Sequence, residues 1–199
     1  MGNFEYIIAS LPVLTSDYRY AEGKGFGSVL AEIRDSLSDK DNGRVDFLLK
    51  GFEADALDEG FYNRALRERN DFLREYFRFD LNLRNAKVRF LNKALGRAPE
   101  QDLVLVKDAG EFEEAAKAAA AFALEDLMAR EKALDDLTWT KIDTLTTFHY
   151  FDINAVLGYI ARLHIVDRWL SLDEAEGRRR FALLVKEVKG TYEGVKFEE

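Results

Sequence analysis

FYNRALRERNDFLREYFRFDLNLRNAKVRFLNKALG, residues Phe61 to Gly96, holds one helical phase from end to end. At about 100° per residue with Phe77 as origin, Leu66, Leu73, Leu81, Val88, Leu91 and Leu95 fall within about 40° of it. Phe61, Ala65, Phe72, Tyr76, Phe79, Leu83, Ala86, Phe90 and Ala94 fill a second sector at roughly 180° to 260°. Only the arc holding Arg67, Asp71, Arg74, Arg78, Asn82, Asn85, Arg89, Asn92 and Lys93 is polar throughout. A surface helix shows one apolar stripe of about 100°, and this one is apolar over about twice that arc, so it is expected to pack on two sides. No Gly or Pro interrupts it before Gly96, and Gly96 with Pro99 beyond forms a stop signal. The stretch therefore predicts one central rod of about 50 Å.

Working outward, the composition fits a mostly helical domain. The chain has 199 residues, 47% hydrophobic and 33% charged, enough for a sizeable core, and only two prolines. No Asn-Gly or Asp-Gly joins alternating apolar runs; Asn42-Gly43 lies in a charged segment. The expected fold class is all-α, a helical bundle around one long helix. It is read as a single domain over 1–199, with a weak subdivision near 96–101. The absence of cysteine excludes disulfides, thiolate metal sites and cysteine nucleophiles. A net charge of −8 argues against a nucleic-acid partner. Arg178-Arg179-Arg180 reads as a solvated helix turn. No apolar run reaches the length of about 18 residues that a membrane span needs, and the start lacks a secretory pattern, so a cytoplasmic location is expected.

On the N-terminal side, Phe4 to Pro12 is apolar and too short for periodicity to separate helix from strand. Residues 15–27 read as a loop; its Gly23-Lys24-Gly25-Phe26-Gly27 lacks the spacing of a phosphate-binding loop. Ser28 and Ser38 are expected to cap two short helices. On the C-terminal side, Asp108 with Glu111 suggests a capping box opening a helix to about Asp136, and the Ala-rich stretch 115–123 would admit a close neighbour. The Thr-rich segment Trp139 to Phe148 would be helical chiefly through packing. Asp152 or Asn154 opens a helix to Leu170, and Asp173 with Glu176 a last one.

Three constellations invite chemistry. Arg84 lies in the apolar arc of the rod with Asp80 one turn before it and Lys87 nearby, which reads as an ion pair drawn into a packed interface. His164 and Asp167 share an inward arc at i, i+3; no Gly-x-Ser-x-Gly completes a relay, so they read as buried polar groups. His149 and Asp152 have a metal-compatible spacing, but two histidines in the whole chain do not make a metal site. No catalytic residue, cofactor or metal ligand is assigned. The polar strip of the rod is basic in an acidic chain. Arg67, Arg74, Arg78, Asn82, Asn85, Arg89 and Lys93 are therefore candidate contacts for an acidic partner or for the chain's own acidic segments.

Tyr6-Ile7-Ile8-Ala9-Ser10-Leu11-Pro12, Phe79-Asp80-Leu81-Asn82-Leu83-Arg84-Asn85, and the run Ile142-Asp143-x-Leu145-Thr146-Thr147-Phe148-x-Tyr150-Phe151-Asp152-Ile153 through Tyr159, Ile165 and Arg168-Trp169 resemble a bacterial family of unknown function found mainly in Bacteroidetes. That family is similar to the central-stalk socket of the V/A-type rotary ATPases, the component designated C, or d in eukaryotes. The Asp-x-Asn-Leu-Arg core resembles the Asp-x-x-Asn-Leu-Lys pattern of that socket, with the spacing shortened and Arg84 in place of lysine. The resemblance implies a non-catalytic helical piece that joins the central shaft to the membrane rotor ring, peripheral to the membrane through its protein partners. Two alternatives compete with it: a freestanding helical adaptor, and an enzyme, which a pocket gathering Asp80, Arg84 and His164 would betray.

Overall fold

A computed structural model of the chain describes residues 4–15 and 25–171. The fold is all-α: α1 (Phe4–Ser10), α2 (Phe26–Asp35), α3 (Asp39–Lys50), α4 (Glu59–Ala65), α5 (Asp71–Ala94), α6 (Ala115–Phe122), α7 (Leu127–Thr146) and α8 (Ile153–Ser171), with a 3-10 turn at Ala54–Ala56. The helix expected from Asp173, with Arg178 to Arg180, lies outside the described residues.

The expected rod is two helices. The phase set by Phe61, Tyr62 and Ala65 carries on into α5 because α4 and α5 bury their apolar faces in the same core. The chain nevertheless leaves the helix between them. Asn70 ends the break: its backbone is extended, its side chain accepts the Leu73 N–H at 2.9 Å, and its amide donates to Asn154 Oδ1 at 2.6 Å. A buried asparagine with a partner 84 residues away acts as an N-cap. Helical periodicity cannot see that choice. The remaining α5 does pack on two sides. Phe72, Leu73, Tyr76, Phe77 and Leu81 join the larger core. Phe79, with Leu83, Ala86 and Phe90, joins a second one against Ala118, Phe122, Leu134 and Leu137. The first apolar sector runs out at the C-terminal end, where Leu91 and Leu95 are exposed.

The most enclosed helix is α8, which packs against α1, α2, α3, α5 and α7. It buries Ile153, Val156, Leu157, Tyr159, Ile160, Ala161, Leu163, Ile165 and Val166 around most of its circumference, while Leu170 is exposed. Gly158 lets α7 approach closely: a Cβ there would lie 2.4 Å from Thr146 Cγ2 of α7. Asp152 opens α8 by accepting the N–H groups of Asn154 and Ala155.

Other boundaries shift for local reasons. Residues 4–10 are helical and only Ile7 of them is fully buried. Helix α2 starts at Phe26 behind Gly25, ahead of the expected Ser28 cap, whereas Ser38 does cap α3, accepting the Asp41 N–H at 3.2 Å. The helix expected from Asp108 to Asp136 is divided. Asp108 sits at φ 74 in a turn rather than at a cap, and α6 stops at Phe122. Helix α7 then restarts behind Asp126, whose side chain accepts the Ala129 N–H at 2.6 Å. It continues through the Thr-rich segment, where the hydroxyls of Thr138, Thr140, Thr144 and Thr146 donate to carbonyls one turn back.

The irregular chain between α5 and α6 runs along the polar strip of α5, and asparagines hold it there. Asn92 donates to the Gln101 carbonyl at 2.7 Å, and Asn82 to the Ala109 carbonyl at 3.1 Å. Asn85 clamps Val104 twice, donating to its carbonyl at 2.8 Å and accepting its N–H at 3.1 Å. Asn85 and Asn92 are buried beneath this segment. Removing a side chain that satisfies two backbone groups under cover costs about 1 to 3 kcal/mol per group left unpaired. Asn85→Ala is therefore expected to lower unfolding free energy by about 2 to 6 kcal/mol. Arg89→Ala on the same face should cost under about 1 kcal/mol, both read by urea denaturation.

Candidate functional site

The charged groups of α5, α7 and α8 meet in a cleft of about 320 Å³ beside the end of α3. Asp80 stands at its floor because α4 lies behind α5: Tyr62, fully buried on α4, donates its hydroxyl to Asp80 Oδ2 at 2.6 Å. Arg84, one turn on, donates Nε to the same oxygen at 2.8 Å. On the opposite wall Asp135 of α7 accepts from Arg168 and, at 2.6 Å, from the indole of Trp169. Glu131, one turn before Asp135, accepts from Lys87 at 2.9 Å and lies 3.8 Å from Arg168. The cleft thus holds three carboxylates and three cations. His164 completes it, its ring stacked on Phe52 at 4.0 Å between centroids.

Burial shifts some of these groups. It raises Asp135 above the usual carboxylate range, despite the opposing pull of Arg168 and Trp169. It lowers His164, helped by the charge of Arg168 and opposed by Asp167, so the imidazole is held neutral near pH 7. The phenols of Tyr62 and Tyr76 are raised by burial and by the charge of Asp80. For Arg84 burial works downward, and the charge and hydrogen bond of Asp80 outweigh it, so its pKa is raised.

Asp80, Arg84 and His164, separated in the sequence, therefore line one cleft. Arg84 is not enclosed, its side chain keeping 47% of its surface exposed. No hydrogen bond joins His164 to Asp167 among the described residues; the imidazole is held by aromatic rings, Phe52 and, edge-on, Phe26. His149 bonds Asp152 through Nδ1 at 2.6 Å, a helix-capping arrangement, and no group of three or more acidic or histidine side chains suited to a metal occurs among the described residues. The strip of candidate contacts divides. Arg67 and Lys93 are exposed, Arg74 pairs with Asp71 and Glu75, Arg78 pairs with Glu75, and Arg89 reaches Glu100 at 3.5 Å. Asn82 and Asn85 face the chain's own 104–109 segment.

A second feature lies where α7 turns into α8. Phe148, Tyr150 and Phe151 are 85%, 67% and 58% exposed, and Tyr150 lines a groove of about 800 Å³ between residues 8–14 and the paired helices. Tyr159 holds that wall by donating to the Pro12 carbonyl at 2.9 Å, and Arg162 pairs with Asp143 at 2.5 Å across from it. Periodicity missed this corner because it lies in the break between helices. Three aromatics between Thr147 and the capping Asp152 were the available signal.

Residues 107–191 match a family described as a protein of unknown function (DUF2764). No curated protein and no solved structure matches the chain. The matched stretch takes in α6, α7, α8 and the aromatic corner, and begins within the asparagine-bound segment, just before Ala109.

Two outcomes check the cleft. Asp80→Ala leaves the buried Tyr62 hydroxyl without its acceptor and should cost about 1 to 3 kcal/mol, whereas Arg84→Ala, losing a half-exposed partner, should cost under about 1 kcal/mol. For His164 the folded state binds its proton less readily than the unfolded chain. Its contribution is therefore present above the unfolded value of about 6.5 and is lost as pH falls through the lowered folded value. His164→Phe, which keeps the stack on Phe52, is expected to lose less stability than the parent between about pH 7 and 5, compared by denaturant titration at each pH.

Proposed function

We propose that the chain is a non-catalytic helical component that assembles with a V/A-type rotary ATPase and links the central shaft to the membrane rotor ring. The observation that carries this reading is the aromatic corner. Three neighbouring aromatics exposed on a well-packed bundle form a surface suited to a protein contact. They fall inside the run from Ile142 to Ile153 that carries the resemblance to the ATPase-related family. A part that passes torque between two partners needs stiff packing rather than a reactive group. Helices α5 and α8, each buried on more than one side, are built in that way. No helix among the described residues is long and apolar enough to cross a membrane, so contact with a rotor ring would be through protein surfaces.

A second reading, as a small-molecule site, is favoured by the convergence of Asp80, Arg84 and His164 on one cleft. The two readings use different surfaces and are not exclusive.

Affinity purification of the tagged chain from native cells at low salt is expected to recover shaft or ring proteins of the ATPase. Replacing Phe148 and Phe151 together by serine should reduce that recovery at least about tenfold, equivalent to ~1.4 kcal/mol, with the helical circular dichroism unchanged. Recovery of no ATPase component by the parent chain would overturn the assignment. Undiminished recovery by the double variant would remove the aromatic corner from it.

A further inference from the structure

The charges of the α5/α7/α8 cleft are layered. Its carboxylates lie deep, with Asp135, Asp80 and Glu131 at 14%, 19% and 27% side-chain exposure. Its cations lie outward, with Arg168, Lys87 and Arg84 at 40%, 44% and 47%. With His164 neutral the six charges cancel, so the cleft as a whole attracts neither a cation nor an anion strongly. It presents a dipole, negative at the floor and positive at the mouth. The group that complements such a dipole carries both signs itself, with its positive end inward.

The hydrogen bonds leave the right atoms open. Asp80 holds Arg84 by Nε alone, and neither Nη1 nor Nη2 makes a hydrogen bond among the described residues. The free edge of that guanidinium presents parallel N–H groups, the geometry that binds a planar carboxylate with two bonds. Asp80 and Asp135 each spend Oδ2 on their partners, and their Oδ1 atoms accept no hydrogen bond among the described residues. These oxygens are acceptors for an ammonium group. The charge of an ammonium beside Asp135 would oppose the burial that raises that carboxyl group. The stacked rings of His164 and Phe52 form a flat, stiff flank for a short side chain. A volume of about 320 Å³ is at the small end of ligand pockets, which suits a single metabolite rather than a peptide.

We propose that this cleft binds a free α-amino acid, its ammonium group directed to the Oδ1 atoms of Asp80 and Asp135 and its carboxylate to the open edge of Arg84. The site is separate from the aromatic corner and does not depend on the ATPase reading.

The test is a thermal-shift screen of the purified full chain with the proteinogenic amino acids, followed by titration calorimetry. Each hit is compared with the amine that lacks its carboxylate and the acid that lacks its amino group. At least one amino acid is expected to bind with a Kd of about 1 mM or tighter, and both of its truncated analogues at least about tenfold more weakly. Arg84→Gln should weaken binding about tenfold or more, and Arg89→Gln, outside the cleft, should leave it unchanged. Asp135→Asn gives a second reading should Arg84→Gln fail to fold, and should weaken the amino acid more than the deaminated acid. Absence of binding by every amino acid would overturn the proposal. So would equal binding of the amine or the deaminated acid, or full binding by both cleft variants.

Discussion

The contact on which most of the bundle depends is the close approach of α8 to α7 at Gly158. A methyl group at this position would stand 2.4 Å from Thr146 Cγ2, and its next neighbours would be Ile142 and Phe72. Two helices that meet at a residue without a side chain fix their separation tightly, because packed interiors leave little room to adjust. With that separation set, α8 can also receive α1, α2, α3 and α5 on its remaining faces. The core from Val29 and Ile33 of α2 to Ile142 of α7 closes around it. The same contact places Asp135 and Arg168, on α7 and α8, where they pair across one wall of the cleft.

Helix α5 connects this core to the smaller one under α6. One face lies against α4 and α8, the opposite face against Phe112, Phe122 and Leu137, and its polar strip is covered by the segment that leads to α6. Three kinds of neighbour thus take up three faces of one helix. Charged residues are left where those neighbours end: at Lys93 on the exposed end of the strip, and in the cleft at Arg84 and Lys87. The functional surfaces are set by what the packing leaves open. These are the cleft, whose charges are layered, and the corner after α7, whose aromatics find no core to enter.

Sequence alone determined the helical class, because the apolar spacing of Phe72 to Phe90 and of Ile153 to Leu163 repeats with the period of a helix and no strand pattern competes with it. It determined that α5 would be covered on two sides, since its apolar arc is twice that of a surface helix. It placed Asp80 one turn before Arg84, a local relation that backbone geometry carries directly. The caps at Ser38 and Asp152 were legible for the same reason: each involves atoms within three residues.

Only the tertiary structure decided what depends on partners distant in the chain. Asn70 breaks the long apolar phase because Asn154 and the Leu73 N–H both engage its side chain. Asn82, Asn85 and Asn92 share one polar arc, yet Asn85 and Asn92 are buried under a segment up to 19 residues away, since an asparagine can substitute for the backbone pairing that an irregular chain lacks. His164 turned toward Phe52 rather than Asp167 because α3 ends beside α8. The cleft itself joins α5 to α7 and α8, and its pairs, such as Lys87 with Glu131 44 residues on, follow from how those helices cross. Periodicity fixes which side of a helix turns inward; it carries no information about which helix lies there.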